Sequence, residues 1–335
     1  MSRSSSMAAG RWPPRTVHGS PTGPARSPGW CAEWAEAWNR FWFTPSDPLP
    51  LAVIRILTGL ILCWACVVWL MDADAFFGPR GWLVPHEVWR MNDQPWQWSW
   101  FFAFSGPTAV RVAGGIMLVS AVLLTIGLAT PAAAVVSLLG LVSAANRAPL
   151  NTFGLDDTLG MLLVGLAVGP AGSRLSLDAW LFGAGEGSTA RATVALRLIQ
   201  VHLCVVYFFS GSGKLLGASW WEGVALWGAA ANVQYRTLDI TALARHPLLL
   251  NVLTLGTLFW EVAYAALVWP RLTRRLFLAL AVAVHLGIGL TMGMMEFGLA
   301  MITANLAFVS AETWRRILPL HALSTIPSPP RTDLA

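Results

Sequence analysis

The feature of this chain that most restricts its fold is a succession of long apolar runs with very little charge. A helix needs about 20 apolar residues to cross the roughly 30 Å hydrocarbon core of a membrane. Only 12% of the residues are charged, whereas a soluble domain carries about 25%. We therefore predict an all-α integral membrane protein without a soluble domain, a multi-span bundle of about eight transmembrane helices. The predicted crossings are residues 51–71, 110–130, 131–146, 155–170, 192–213, 248–269, 276–295 and 297–310.

The sequence before and after these runs completes the predicted organisation. Trp30, Trp34, Trp38 and Trp42 recur every four residues, which places four indoles on one side of a helix. Such a helix is expected to lie in the membrane interface. The predicted parts are a disordered tail (1–29), an interfacial amphipathic helix (30–48), the transmembrane domain (49–312) and a cytoplasmic tail (313–335).

The placement of arginine predicts the orientation of the bundle. Cytoplasmic loops of membrane proteins carry an excess of Lys and Arg, and with the N-terminus inside, thirteen such residues fall on inner segments. The six on outer segments are Arg80, Arg90, Arg147, Lys214, Arg236 and Arg245. We therefore expect a multi-pass protein surrounded by membrane lipid, with both termini in the cytoplasm. The preference for Arg over Lys suggests a GC-rich bacterial genome, and hence a bacterial inner membrane.

Two partner classes are not expected. The arginines are scattered over loops and tails and form no basic patch, which argues against a nucleic-acid partner. The sequence also holds no cluster with metal-ligand spacing, so no metal site is predicted.

Of the 22 Lys and Arg residues, one is a lysine, Lys214, at the end of the fifth run. A guanidinium stays protonated at any usable pH, whereas a desolvated ammonium can lose its proton and act as a base. Lys214 is therefore a candidate catalytic residue. The structural alternative is a lysine that extends from a helix end to the lipid headgroups.

Polar residues at helical spacing form stripes in three consecutive runs. The stripes contain Gln200, Tyr207, Gly211 and Lys214 in the fifth run, Glu261 and Tyr264 in the sixth, and His285 and Glu296 in the seventh. Ionisable residues inside a membrane are costly and often mark a functional site. We therefore predict a shared polar cavity that opens toward the outer face. Pairing between helices is the structural alternative, because polar side chains also hold bundles together.

Cys63 and Cys66 form a C-x-x-C pair in the first run. Such pairs relay electrons in thiol–quinone oxidoreductases, which makes that activity a third hypothesis for this chain. Those enzymes usually use a second thiol pair, and Cys204 is the only further cysteine in an apolar run. Cysteine is also a common small residue in packed helices.

One motif carries a resemblance to a known family. Residues 207–215 read YFFSGSGKL, and WWEG follows at 220–223. The pattern resembles a motif of the vitamin K-dependent gamma-carboxylase superfamily, whose bacterial branch is the horizontally transferred transmembrane (HTTM) domain. Residues 78–85, residues 285–293 and Arg55 with Thr58 and Gly59 are also similar, and the resemblance covers about residues 49–310.

The resemblance implies a quinol-dependent, carboxylase-like lyase in which Lys214 is the base. Its cofactor would be a reduced vitamin K-type quinone (menaquinol), with CO2 and O2 as co-substrates and a protein or peptide as the substrate. The candidate catalytic residues are Lys214, His285 and Glu261, and the candidate cofactor-binding residues are Gln200, Tyr207, Gly211, Trp220 and Trp221. The animal carboxylases carry an Asn-His pair where this chain has Asp156 and Asp157. A non-catalytic membrane module that binds lipid or quinone is the main alternative.

Overall fold

The computed structural model describes residues 29–91, 97–104, 106–183 and 187–318. The predicted disordered tail lies outside these residues except for Gly29, and so does the predicted cytoplasmic tail beyond residue 318. The described residues divide into two units, one that ends at Arg40 and one that begins at Phe41.

The described residues are helical, and no strand occurs among them beyond an isolated bridge between Ser46 and Thr189. The α-helices are α1 Trp30–Phe43, α2 Leu49–Met71, α3 Ala73–Phe77, α4 Pro85–Met91, α5 Trp100–Ala103, α6 Pro107–Ile126, α7 Thr130–Arg147, α8 Gly154–Val168, α9 Leu177–Phe182, α10 Ala190–Leu215, α11 Ala218–Trp221, α12 Ala225–Ala230, α13 Pro247–Leu267, α14 Arg271–Met292, α15 Met295–Asn305 and α16 Ala311–Ile317. Short 3-10 helices occupy Pro149–Asn151, Thr241–Arg245 and Leu306–Phe308.

Each of the eight predicted crossings corresponds to one helix, which confirms a multi-span helical membrane architecture. Five helices, α2, α6, α10, α13 and α14, are long and apolar enough to cross a membrane. The runs that were short in the sequence are short in the structure, since α8 has 15 residues and α15 has 11. The α7 helix has 18 residues but is not among the five.

The predicted N-terminal helix is confirmed as α1, with the expected row of indoles. Trp30, Trp34 and Trp38 are all exposed, and the rings of Trp34 and Trp38 stack with their centroids 5.4 Å apart. An exposed indole row suits the boundary between lipid and water. The interfacial location of α1 remains a prediction.

The second unit is built on close helix pairs, of which α2 with α6 is the most extensive. Gly59 of α2 lies directly against Thr125 of α6, where an added Cβ would come within 2.3 Å of the threonine Oγ1 and 2.9 Å of its backbone. Helices in membranes associate through such small residues, because lipid offers no hydrophobic driving force between helices. The backbone contact at Gly59 fixes the spacing of this pair.

Two completely buried arginines hold loops against the helix ends. Arg55 of α2 donates from Nη2 to the Leu175 carbonyl. Arg147, which the sequence placed in an outer loop, is instead the last residue of α7 and donates from Nη2 to the carbonyls of Gly78 (2.6 Å) and Leu83 (2.9 Å). This side chain ties the segment after α3 to the bundle.

Gly59→Ala is expected to lower the free energy of unfolding by about 1–3 kcal/mol, because the new methyl group has no space between α2 and α6. Thermal or denaturant unfolding in detergent micelles measures the change. Gly256→Ala in α13 is the control, since nothing lies within 4 Å of its Cβ position. Alanine there should stabilise the helix slightly. Equal effects of the two substitutions would contradict the packing at Gly59.

Candidate functional site

Lys214 lies in the last turn of α10 and forms an ion pair with Glu261 of α13. Its Nζ is 2.6 Å from Glu261 Oε2 and 2.7 Å from Ser210 Oγ, one turn earlier in α10. Ser210 Oγ in turn donates to the same carboxylate oxygen at 3.2 Å. The Lys214 side chain is 24% exposed and that of Glu261 10% exposed. The pair therefore stands at the edge of the buried interior, with the amine on the more open side.

The approach of α13 to this lysine depends on Gly211. A Cβ at Gly211 would lie 2.9 Å from the backbone nitrogen of Val262 and 3.2 Å from the carbonyl carbon of Glu261. Only a residue without a side chain lets the two helices come this close. Gly211, a predicted cofactor-binding residue, is placed by the structure at the contact that brings Glu261 to Lys214.

Two indoles cover the end of α10. The Trp220 ring centroid is 5.4 Å from Lys214 Nζ, within the range of a cation–π interaction. Trp221 donates from Nε1 to the Leu215 carbonyl at 2.7 Å, which satisfies one of the free carbonyls at the helix end, and its ring is largely exposed. Trp220 therefore contacts the amine, whereas Trp221 faces outward.

A second polar group lies deeper, around Tyr207. The Tyr207 hydroxyl is 2.7 Å from His285 Nε2 and accepts a hydrogen bond from Asn305 Nδ2 at 3.1 Å. Tyr264 donates to Asn305 Oδ1 at 2.6 Å. Since Asn305 already donates to the Tyr207 oxygen, that hydroxyl can donate to Nε2, which corresponds to the tautomer with the histidine proton on Nδ1. We call these four residues the buried tetrad.

The buried tetrad and the ion pair share two helices, α10 and α13. Tyr207 lies two turns before Lys214 on the same side of α10. Trp260 packs edge-on against the Tyr207 ring, with the ring centroids 4.9 Å apart. Trp260 also directly precedes Glu261 in α13, so the ion pair and the tetrad adjoin each other along this helix. His285 Nδ1 is buried and has no hydrogen-bond partner among the described residues. The arrangement provides an acid–base pair at one level and a neutral hydrogen-bonded relay at the next.

A family model for the HTTM domain matches residues 43–314. The chain belongs to the HTTM family. The match contains α2 to α15 and every residue of the ion pair and the tetrad, which confirms the resemblance drawn from the lysine motif. No curated protein and no solved structure matches the chain.

Two members of the predicted stripes, Gln200 and Glu296, lie apart from the ion pair and the buried tetrad. Gln200 donates to the Ala307 carbonyl at 2.7 Å and accepts from Arg197 at 2.8 Å, so the structure gives it a helix-pairing contact. Glu296, which shares the periodicity of His285, accepts from Trp64 Nε1 at 2.8 Å on the α2 side. The stripe in the fifth run is therefore divided between a structural contact and the site.

Three residues of the site were not singled out as site residues from the sequence. Ser210 stands one turn before Lys214 within the motif, and that spacing alone could have identified it. Asn305 is an amide inside the apolar eighth run, the kind of position that calls for a partner. Tyr264 was visible in the stripe of Glu261. Its link to Asn305 depends on the packing of α13 against the last predicted crossing, which no local pattern specifies.

The polar side chains at these positions bond directly to one another, and the shared cavity remains a prediction. Three cavities of the described residues lie elsewhere, and none of them is lined by Lys214, Glu261 or His285. The first is bounded by Cys66, Trp69 and Phe77. Among the described residues no group of three His, Cys, Asp or Glu side chains is arranged to hold a metal ion.

The cysteines of the C-x-x-C pair are free thiols. Cys66 is buried, and the Cys63 Sγ lies 3.8 Å from Thr125 Oγ1 at the α2–α6 contact. Both positions are compatible with packing residues, and the thiol–quinone activity remains a hypothesis.

Tyr207→Phe is expected to destabilise the HTTM domain by about 1–3 kcal/mol, because the loss of one hydroxyl leaves both His285 Nε2 and Asn305 Nδ2 buried without this partner. Unfolding in detergent gives the value. Tyr235→Phe provides the matched control at an exposed tyrosine and should change stability little. A Tyr207→Phe variant as stable as the control would show that the tetrad is not formed.

Proposed function

We propose that this HTTM protein is a membrane enzyme that oxidises a reduced quinone of the menaquinol type, with Lys214 as the base. The observation that supports the proposal is the ion pair of the only lysine with Glu261, at the partly open end of a buried polar network. The likeness of the lysine motif to that of the gamma-carboxylases assigns the base role to the same residue.

The residues at the site fit a quinol. Trp220 presents an aromatic face beside Lys214, and an aromatic ring packs well on such a surface. In the tautomer with the proton on Nδ1, His285 offers a buried N–H without a partner among the described residues, which is suited to a quinone oxygen. The exposed Phe208 and Phe209 on α10 face away from the core and supply apolar surface for a lipid-soluble tail. Trp220, Lys214 and His285 are thus the residues that would hold the group.

When bound, the quinol supplies an acidic hydroxyl and a ring that reacts with O2. The ammonium of the ion pair must first release its proton, and the resulting amine then accepts the hydroxyl proton, with Glu261 balancing the ammonium that forms again. Ser210 keeps Nζ in position through its 2.7 Å contact. The exposed part of Lys214 allows the proton to leave to the aqueous side, which the arginine distribution predicts to be the outer side.

The overall reaction expected of this site converts quinol and O2 to quinone epoxide and water. The carboxylase resemblance adds CO2 as a co-substrate and a protein or peptide as the acceptor. In the bacterial inner membrane, menaquinol would reach the site laterally from lipid, with the termini of the chain in the cytoplasm.

A non-catalytic module that binds lipid or quinone is the second candidate. The same ion pair favours it. Joining α10 to α13 would be a sufficient role for an amine that is already bonded to a carboxylate and a hydroxyl. In that case only the positive charge and its reach matter. The two candidates therefore predict different results for an arginine at this position.

Lys214→Arg is expected to lower epoxide formation by at least about 100-fold, because a guanidinium keeps the ion pair but cannot cycle a proton. The assay gives menaquinol and O2 to the purified protein and measures epoxide by chromatography and mass spectrometry. Arg236→Lys, the reverse exchange at an exposed ion pair, is the control and should retain full activity. Absence of epoxide with the native protein, or equal epoxide with Lys214→Arg, would overturn the enzyme proposal.

A further inference from the structure

The end of the bundle opposite Lys214 holds two arginines that converge on one tryptophan. There α10 and α14 begin and α13 ends. The Arg197 guanidinium carbon is 5.4 Å from the Trp269 ring centroid, and Arg274 donates from Nη2 to the Trp269 carbonyl. Both side chains are half-buried. We call Arg197, Arg274 and Trp269 the arginine cluster.

The positive charges of the arginine cluster have only neutral partners in the described part of the chain. Arg197 donates to the Phe41 carbonyl at 3.1 Å and to Gln200 Oε1 at 2.8 Å, and Arg274 donates to backbone carbonyls alone. No ion pair of the described residues includes either one. The two charges also repel each other. Half-buried cations without a counter-charge are costly, so an anion would be strongly favoured here.

The start of α14 adds further positive charge near the arginine cluster, which favours a bound anion. Arg271, Arg274 and Arg275 all fall within its first five residues, and no acidic residue occupies the first turn. The N-terminal end of a helix carries a partial positive charge, which like charges nearby make less stable. The guanidinium nitrogens Nη2 of Arg197 and Nη1 of Arg274 donate to no described residue. Free donors and unbalanced charge therefore meet at the same place.

The surroundings select the kind of anion. The Arg197 guanidinium lies 4.2 Å from the Phe41 ring centroid, and aromatic rings of this kind are typical of the headgroup level of a membrane. Leu272 and Leu276 on the same helix as Arg274 are exposed apolar side chains, 91% and 59% exposed. A guanidinium fork matches the oxygens of a phosphate. A ligand with a phosphate headgroup and acyl chains satisfies both the charges and the apolar surface.

We propose that Arg197 and Arg274 bind the phosphate of an anionic phospholipid of the phosphatidylglycerol class in the leaflet at this end of the bundle. A zwitterionic lipid fits less well because its headgroup carries its own cation toward the arginines. Arginines that only set topology are solvated, as the exposed Arg191 and Arg275 are. Arg197 differs from them, since it lies two turns inside α10 and is covered by Phe41.

The test measures thermal unfolding of the delipidated protein in uncharged detergent, titrated with dioleoyl-phosphatidylglycerol. The lipid is expected to raise the midpoint of unfolding, and Arg197→Gln or Arg274→Gln should weaken the apparent affinity at least about tenfold. Arg191→Gln, also at the start of α10, is the matched control and should bind like the native protein. Arg274→Lys keeps the charge without the planar fork and should fall between the two.

Two further titrations identify the ligand chemistry. Dioleoyl-phosphatidylcholine tests the acyl chains without net negative charge, and inorganic phosphate tests the anion without acyl chains. The proposal requires both to stabilise the protein much less than phosphatidylglycerol does. It is overturned if either one matches phosphatidylglycerol, or if the Arg197→Gln and Arg274→Gln variants, folded by circular dichroism, respond to the lipid as the native protein does.

Discussion

An ammonium and a carboxylate 2.6 Å apart join the last turn of α10 to the middle of α13. Either charge alone would be costly in contact with the apolar interior of the bundle. The pair forms only because Gly211 lets the helix backbones touch and because Ser210 bridges the two charged groups. The position of α13 relative to α10 follows from this contact, and α13 in turn brings Trp260 and Tyr264 against Tyr207.

The polar residues of this HTTM domain are thus arranged at two levels of solvent access. Lys214 keeps about a quarter of its side chain exposed, whereas His285 and Tyr207 are buried. Lys214 can exchange protons with water, whereas the buried Tyr207 and His285 can exchange them only with neighbouring side chains. In the proposed function, the exposed part of Lys214 lets the side chain lose to water the proton that it accepts in each turnover. The polar groups of the tetrad are held in the apolar bundle by their bonds to one another, since Tyr207, Tyr264 and Asn305 all have partners within it.

Much of this architecture could be predicted from the sequence because its causes are local. The length and apolar character of the runs set the number and approximate ends of the helices, and the row of indoles at Trp30, Trp34 and Trp38 set α1. The motif around Lys214 pointed to the correct family. Helical spacing correctly placed Tyr207 and Lys214 on one side of α10.

The partners across helices could not be predicted, because a repeat along one helix does not state which neighbour it faces. Gln200 has the same spacing as Tyr207 and yet bonds to the Ala307 carbonyl, away from His285. Asn305 completes the tetrad from a helix whose sequence offered only an amide in an apolar run. Arg147 was assigned to an outer loop by its position after a run, although it is the last residue of α7 and bonds to the carbonyls of Gly78 and Leu83.

The most direct test of the coupling between α10 and α13 is a double-mutant cycle on the free energy of unfolding, with Lys214→Ala, Glu261→Ala and the double variant. Each single change leaves a charged group without its partner, whereas the double change removes both. The double variant should therefore be more stable than the sum of the single effects implies, with a coupling energy of about 2 kcal/mol. Additive effects would contradict the ion pair and, with it, the assignment of Lys214 and Glu261 to a common site.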